Sequence, residues 1–291
     1  MRIQIKESLK KVDWLRALKR AMIDRYFNIT SNDPFYLIYV LQWRVGKFLM
    51  RRKRVQFNDI SISLPCFNSI THTRWYRFAN KEPEILKALD TYLEPGEVFF
   101  DIGANIGVYS LYAAKLCQAK VYAFEPEYSN LHLLKDNIIM NQLENNIVPY
   151  AIALSDKLKI TKLHLQDLEP GSACHSENET NLHMTKSGYQ VKWTEGIASF
   201  RMDDVCDQIQ QSPQVIKIDT DGNELEVLNG AYKTLQFSKL KIVIIELPDH
   251  YGGKDQCDQL LRNAGFQKIE DSVRSCINKI YVRPWLIKSN A

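Results

Sequence analysis

The residues that most restrict the fold are Val98-Phe99-Phe100-Asp101-Ile102-Gly103-Ala104-Asn105-Ile106-Gly107. An apolar run ends in an acid, two glycines bracket a tight turn, and helical spacing begins at Val108. An apolar strand of this kind must be covered on both faces, so it belongs inside a sheet flanked by helices. The same alternation continues downstream. Strand-like segments at 97–101, 120–125, 147–153, 215–219 and 241–246 alternate with helical patterns at 108–117, 128–141, 203–210, 224–235 and 255–264. Residues 266–270 and 276–283 read as a closing hairpin. The expected fold is α/β: a doubly wound, mostly parallel seven-stranded sheet with ligands at the carboxyl ends of its strands.

Upstream of that core the character changes. Residues 1–60 carry 14 Lys+Arg against 5 Asp+Glu, a net of +9, and the remaining residues are mildly acidic at −5. Trp14, Leu15, Leu18, Met22 and Tyr26, then Leu37, Ile38, Leu41, Val45, Phe48 and Leu49, recur at helical spacing. We expect three parts: a basic helical N-terminal extension over 1–60, a lead-in over 61–94 and the main domain over 95–291. In the lead-in, 61–64 and 71–78 read as β-type runs and 82–93 as a helix. Residues 155–200 read as irregular and polar. The basic helices read as a solvated extension with its apolar stripe packed on the core, with a peripheral contact with anionic lipid or an oligomer contact as alternatives. The stretch 34–50 is broken by Gln42, Arg44 and Lys47, so no transmembrane helix is expected. None of the six cysteines forms a C-x-x-C pair, which indicates neither zinc nor a disulfide framework and suits a cytoplasmic protein. With the cleft-bearing part net negative and no recognition motif, nucleic acid is not an expected partner.

Glu125 ends the second strand, 24 residues after Asp101. An acid at that place suits ribose hydroxyls, so the pair points to a nucleoside-bearing cofactor. The dinucleotide fingerprint G-x-G-x-x-G fails, because Asn105 and Val108 stand where glycines are required, and no phosphate-binding P-loop is present. Asp101 at a strand end could accept a hydrogen bond from a ligand ammonium. A ligand with a cationic amino-acid end, an adenosine end and no phosphate fits the acid-rich turn best, which describes S-adenosylmethionine.

Three segments, at 101–107, Phe124-Glu125-Pro126 and Ala153-Leu154-Ser155-Asp156, resemble the class I methyltransferase fold, which is Rossmann-like. The run from Ile216 through Asp219-Thr220-Asp221-Gly222-Asn223-Glu224 to Ala231 resembles FkbM-type methyltransferases in particular. Gly171-Ser172-Ala173-Cys174-His175-Ser176 and Arg201-Met202-Asp203-Asp204-Val205 are similar to the same family. The resemblance covers about 95–250. Thr220-Asp221 departs from it, since an aliphatic residue and Glu are more usual there. It implies that Asp101, Gly103, Ala104, Asn105 and Gly107 line the methionine end. Glu125 and Pro126 would hold the ribose, and Ala153, Leu154 and Ser155 would flank adenine. Asp219 would face both cofactor and acceptor.

The implied activity is methyl transfer from S-adenosylmethionine to oxygen, on a hydroxyl of a glycan, sugar or small metabolite. An acceptor hydroxyl must lose its proton, and Asp219, Asp221 and Glu246 are the expected catalytic acids. A divalent metal held by the acids could instead lower the hydroxyl pKa. His175 and Lys217 are expected on the substrate side, with His72 and His250 as lesser candidates. Competing readings are a nicotinamide-dependent oxidoreductase and an inactive scaffold on the same fold.

Overall fold

The computed structural model describes residues 41–42, 44–45, 53–57, 59–173, 175–177, 190–249, 251–269 and 277–288. The chain divides into two compact units, 1–50 and 51–291. In the first, only Leu41, Gln42, Arg44 and Val45 are described, and they are helical. The expected helices over the rest of that unit and His250 lie outside the described residues. No described helix is long and apolar enough to cross a membrane.

The second unit opens with a β-hairpin, β1 (Lys53–Phe57) and β2 (Ile60–Leu64). Helices α1 (Ser69–Tyr76) and α2 (Pro83–Tyr92) follow. The core alternates as β3 (Val98–Ile102), α3 (Val108–Lys115), β4 (Lys120–Phe124), α4 (Tyr128–Met140) and β5 (Ile147–Tyr150). Strands β6 (Ala153–Leu154), β7 (Lys159–Leu165) and β8 (Trp193–Phe200) make a separate small sheet. The core resumes with α5 (Met202–Ile209), β9 (Val215–Ile218), α6 (Glu224–Asn229) and β10 (Ile242–Glu246). It closes with α7 (Lys254–Asn263), β11 (Gln267–Lys268), β12 (Asn278–Val282) and α8 (Pro284–Lys288).

The main sheet has seven strands in the order β11-β12-β10-β9-β3-β4-β5. Only β12 runs against the rest. All five residues of β3 are buried, because successive side chains enter the two cores on opposite faces of the sheet. Phe99, Val121 and Val215 pack with β2, α2, α3 and α4 on one face. Phe100, Ile102, Ile216 and Ile218 pack with α5, α6 and α7 on the other. Between β3 and β9 the strand order reverses direction, which opens a crevice at their carboxyl ends.

Two segments differ from the sequence reading. Residues 71–78, read as β-type, mostly form α1. Asn68 accepts the Thr71 N–H at 2.7 Å while Thr71 Oγ1 accepts the Asn68 N–H at 3.2 Å. That reciprocal cap outweighs the β-prone Thr, Trp and Tyr side chains. Residues 155–200, read as irregular, contain the antiparallel β7–β8 pair. Only the distal end of β7 is buried, so its Lys159, Thr161 and Lys162 mask the strand pattern.

Candidate functional site

At the reversal point lies a cavity of about 280 Å³. Its floor is the turn after β3. Gly103 and Ala104 donate their N–H groups to the Phe124 carbonyl at 3.0 and 3.1 Å, which ties the turn to the end of β4. Gly103 has φ +74°, and a Cβ built there would collide with the Asp219 carbonyl group. The close approach of β3 to β9 therefore requires glycine at this position.

Glu125 stands just past β4 and is buried. One oxygen accepts the Asn105 N–H at 2.7 Å and the other the Glu127 N–H at 2.9 Å. Each oxygen keeps a lone pair for a further donor. Burial pushes this carboxyl up to about 8 despite those two hydrogen bonds. Phe124, Pro126, Ile152, Leu154, Leu163 and Ile197 give the cavity an apolar half beside Glu125.

The polar half is set by the loop after β9. Glu224, at the start of α6, accepts from Thr220 N at 3.0 Å, Thr220 Oγ1 at 3.0 Å and Gly222 N at 3.2 Å. This carboxylate folds the loop so that Asp219 and Asp221 face the end of β10, where Glu246 sits. Burial, only partly offset by those donors, raises Glu224 to about 7. Carboxylate oxygens of Asp219, Asp221 and Glu246 all lie within 4.8 Å of one another.

Beneath them is a buried ion-pair cluster. The Lys217 ammonium, 2% exposed, is 3.0 Å from Asp219 and 3.6 Å from Asp101. It also lies over the Tyr109 ring, 5.1 Å from the centroid. Burial works against the charge on Lys217, but Asp219 and Asp101 outweigh it and raise its pKa. Burial likewise works to raise Asp219, yet Lys217 and a hydrogen bond with Glu246 hold it down at about 2. The Asp219 charge, followed by burial, pushes Glu246 up to about 10. The two acids therefore titrate as a pair that shares one proton, with the Lys217 charge favouring ionisation on the Asp219 side.

Among the residues named from sequence, Gly103, Asn105, Glu125, Pro126, Ala153, Leu154, His175, Asp219, Asp221 and Glu246 line this one cavity. Asp101, Ala104, Gly107, Ser155 and Lys217 do not. Asp101 is turned into the sheet, where Ser110 Oγ donates to it at 2.6 Å, and burial raises its pKa. Lys217 lies under the floor, where it holds Asp219 rather than facing an acceptor. Ser155 packs against Gly230, where any Cβ would strike its carbonyl group. Gly107, at φ +86°, packs on Leu134. His72 is exposed on α1 and outside the cavity. His175 is buried, its Nε2 3.0 Å from Ser172 Oγ, and burial lowers its pKa.

Several lining residues were not singled out from sequence. Asn105 Nδ2 donates to the Ser172 carbonyl at 2.6 Å, and Asn130 Nδ2 donates to the same oxygen at 3.1 Å. These bonds tie the segment after β7 to the turn after β3 and to α4. Arg74, Lys81, Asn130 and Glu177 also line the cavity. The Asn68-x-x-Thr71 capping signal would have placed Arg74 on a helix.

Comparison with known proteins places this site in a family. The family model described as the methyltransferase FkbM domain matches residues 101–268, more than half of the chain. Hexuronic acid methyltransferase AglP of Haloferax volcanii is 26% identical over 174 residues, which cover 60% of this chain and 65% of that protein. Methyltransferase sdnD of Sordaria araneosa is 26% identical over 192 residues, 59% of this chain and 74% of that one. The 31-O-demethyl-FK506 methyltransferase FkbM of Streptomyces tacrolimicus is 24% identical over 202 residues, 62% of this chain and 76% of that one. The match thus spans just under two thirds of the first relative and about three quarters of the other two. Among solved structures, magnesium protoporphyrin IX methyltransferase from Synechocystis PCC 6803 superposes at a TM-score of 0.43 and 13% identity, over 90% of this chain and 96% of that one. That likeness is too loose to argue from, and the assignment stands on the sequence match: the chain belongs to the FkbM family of methyltransferases.

Proposed function

We propose that this protein moves a methyl group from S-adenosylmethionine to a hydroxyl oxygen of a sugar, glycan or other small acceptor. One observation carries the reading. A single cavity joins the apolar, Glu125-bearing half to the three acids Asp219, Asp221 and Glu246. The first half has the chemistry of an adenosine pocket, and the second has the chemistry of an acceptor site. Relatives named for a hexuronic acid and for a 31-O-demethyl-FK506 acceptor support oxygen and a small acceptor.

Bound S-adenosylmethionine supplies an electrophilic methyl on a positively charged sulfur. The residues do the rest. Glu125 receives ribose hydroxyls through its two remaining lone pairs. Phe124, Pro126, Ile152 and Leu154 exclude water from the adenine. Gly103 and Asn105 leave room for the amino-acid tail. Asp219, kept ionised by Lys217, accepts the acceptor's hydroxyl proton, and Glu246 holds the second carboxyl neutral. Holding an acceptor oxygen against the methyl contributes roughly 7–11 kcal/mol to the barrier reduction. Proton removal by a placed carboxylate contributes a further 10²–10⁴-fold or so.

Three carboxylates at this spacing also suit a hard divalent cation, which would supply Lewis-acid activation of the hydroxyl. The deciding experiment incubates purified protein with methyl-labelled S-adenosylmethionine and a panel of sugars and glycans, with and without chelator. Label should appear on an acceptor oxygen. No binding of S-adenosylhomocysteine, or label on carbon or nitrogen only, rejects the reading.

A further inference from the structure

The polar half of the cavity holds two cations that the methyl-transfer reading leaves without a task. Arg74 projects from α1 and Lys81 from the turn before α2. Arg74 Nη2 donates to the Gly171 carbonyl at 3.1 Å. Among the described residues its guanidinium forms no ion pair with a carboxylate. One donor fixes its position, and the other donors of the planar fork remain, the geometry that receives a carboxylate in two parallel bonds. Lys81 Nζ is 2.8 Å from Glu82 Oε1 and keeps 43% exposure. The other Glu82 oxygen accepts the Tyr109 hydroxyl, so Glu82 is fully engaged in holding its neighbours.

Charge complementarity says what the pair is for. The acids Asp219, Asp221 and Glu246 suit a cationic sulfur, but they would repel any negative group on the same ligand or its neighbour. A carboxylate entering this cavity needs a cationic wall, and Arg74 with Lys81 is the wall available. Both residues lie in the lead-in, upstream of position 101, where the family match begins.

We propose that Arg74, assisted by Lys81, forms a carboxylate subsite at the polar end of the cavity. This rests on the S-adenosylmethionine reading of the other half. The carboxylate has two possible sources: the α-carboxylate of the cofactor's methionine tail, or a carboxylate carried by the acceptor.

Calorimetry on the full chain separates them, using wild type, Arg74→Gln and Arg74→Lys. The probes are S-adenosylhomocysteine and 5′-methylthioadenosine, which keeps the adenosine and thioether but lacks the amino-acid tail. D-glucuronate and D-glucose are then titrated into protein saturated with S-adenosylhomocysteine. If the cofactor is the source, Arg74→Gln weakens S-adenosylhomocysteine at least tenfold and leaves 5′-methylthioadenosine unchanged. If the acceptor is the source, both nucleosides bind as before, and the preference for glucuronate over glucose seen in wild type is lost. In either case Arg74→Lys, which keeps the charge without the fork, recovers part of the loss. Equal weakening of both nucleosides would make Arg74 only a strut for the Gly171 loop and overturn the subsite. Unchanged binding of every probe would overturn it as well. Wild type that binds neither nucleoside would remove the cofactor reading itself, and the subsite with it.

Discussion

Gly103→Ala isolates the contact on which the site is built. A Cβ at Gly103 would lie 2.8 Å from the Asp219 carbonyl carbon and closer still to its oxygen. Ordinary carbon contacts are about 3.5–4.0 Å, so strand end and turn must part by roughly 1 Å. That movement lengthens the bond from Asp219 N to the Ile102 carbonyl, now 3.0 Å. The cost has three parts. Alanine at φ +74° loses roughly 1–2 kcal/mol. A weakened backbone hydrogen bond loses about 1 kcal/mol. Forcing an extra carbon into packed surroundings loses about 1–3 kcal/mol. The sum, about 3–6 kcal/mol, is a large share of the roughly 5–15 kcal/mol that holds a typical protein folded. A displacement of about 1 Å at Asp219 should also slow turnover on the order of 100-fold. Urea denaturation followed by circular dichroism gives the stability change, and label transfer gives the rate. A variant that loses less than about 1 kcal/mol and turns over at the wild-type rate refutes the reasoning, because β3 and β9 would then not be in contact at this point.

Three further outcomes are expected. Glu125→Ala should weaken S-adenosylhomocysteine about tenfold or more, since the two hydrogen bonds lost to a neutral carboxyl contribute roughly 0.5–1.5 kcal/mol each; unchanged affinity by calorimetry would contradict the ribose role. Asp219→Asn should lower turnover about 10²–10⁴-fold while S-adenosylhomocysteine still binds, and a wild-type rate would remove Asp219 as the proton acceptor. The ligand-free protein should lose thermal stability as pH rises from 5 to 8. Glu224 at about 7 and Glu125 at about 8 keep protons that the unfolded chain releases near 4.5, so their contribution is complete below 4.5 and declines through the folded values. His175, lowered by burial, works in the opposite sense but only below its ordinary 6.5. A melting temperature that stays level or rises between pH 6.5 and 8 would argue against the buried acids.

The parallel core was legible because its signal is local. Burial on both faces leaves continuous apolar runs such as 98–102, and each run ends in a turn with its own chemistry. The acids Glu125, Asp219, Asp221 and Glu246 were legible for a related reason: in an open parallel sheet, strand tips converge on one crevice. Sequence does not say which way a strand-end side chain points. Asp101 and Lys217 are register partners across β3 and β9, and both turn inward to meet each other. Lys217, expected on the substrate side but also as a strand residue able to pair with a carboxylate, lies one layer below, paired with Asp101 and Asp219. Arg74 was missed because the β-prone side chains of 71–78 concealed a helix that exists by virtue of a cap at Asn68. Glu224 was not singled out, although its three accepted bonds shape the loop that bears Asp219 and Asp221.

The Ser172 carbonyl accepts amide groups from both Asn105 and Asn130. The segment after β7 is thereby riveted to the turn after β3, which the proposed function gives to the methyl donor. Laboratory evolution toward new acceptors by varying this segment would retune donor affinity at the same time. Libraries that keep Ser172, Asn105 and Asn130 fixed and vary Ala173 and Glu177, which line the cavity outside its apolar half, are the ones in which the two affinities can be adjusted independently.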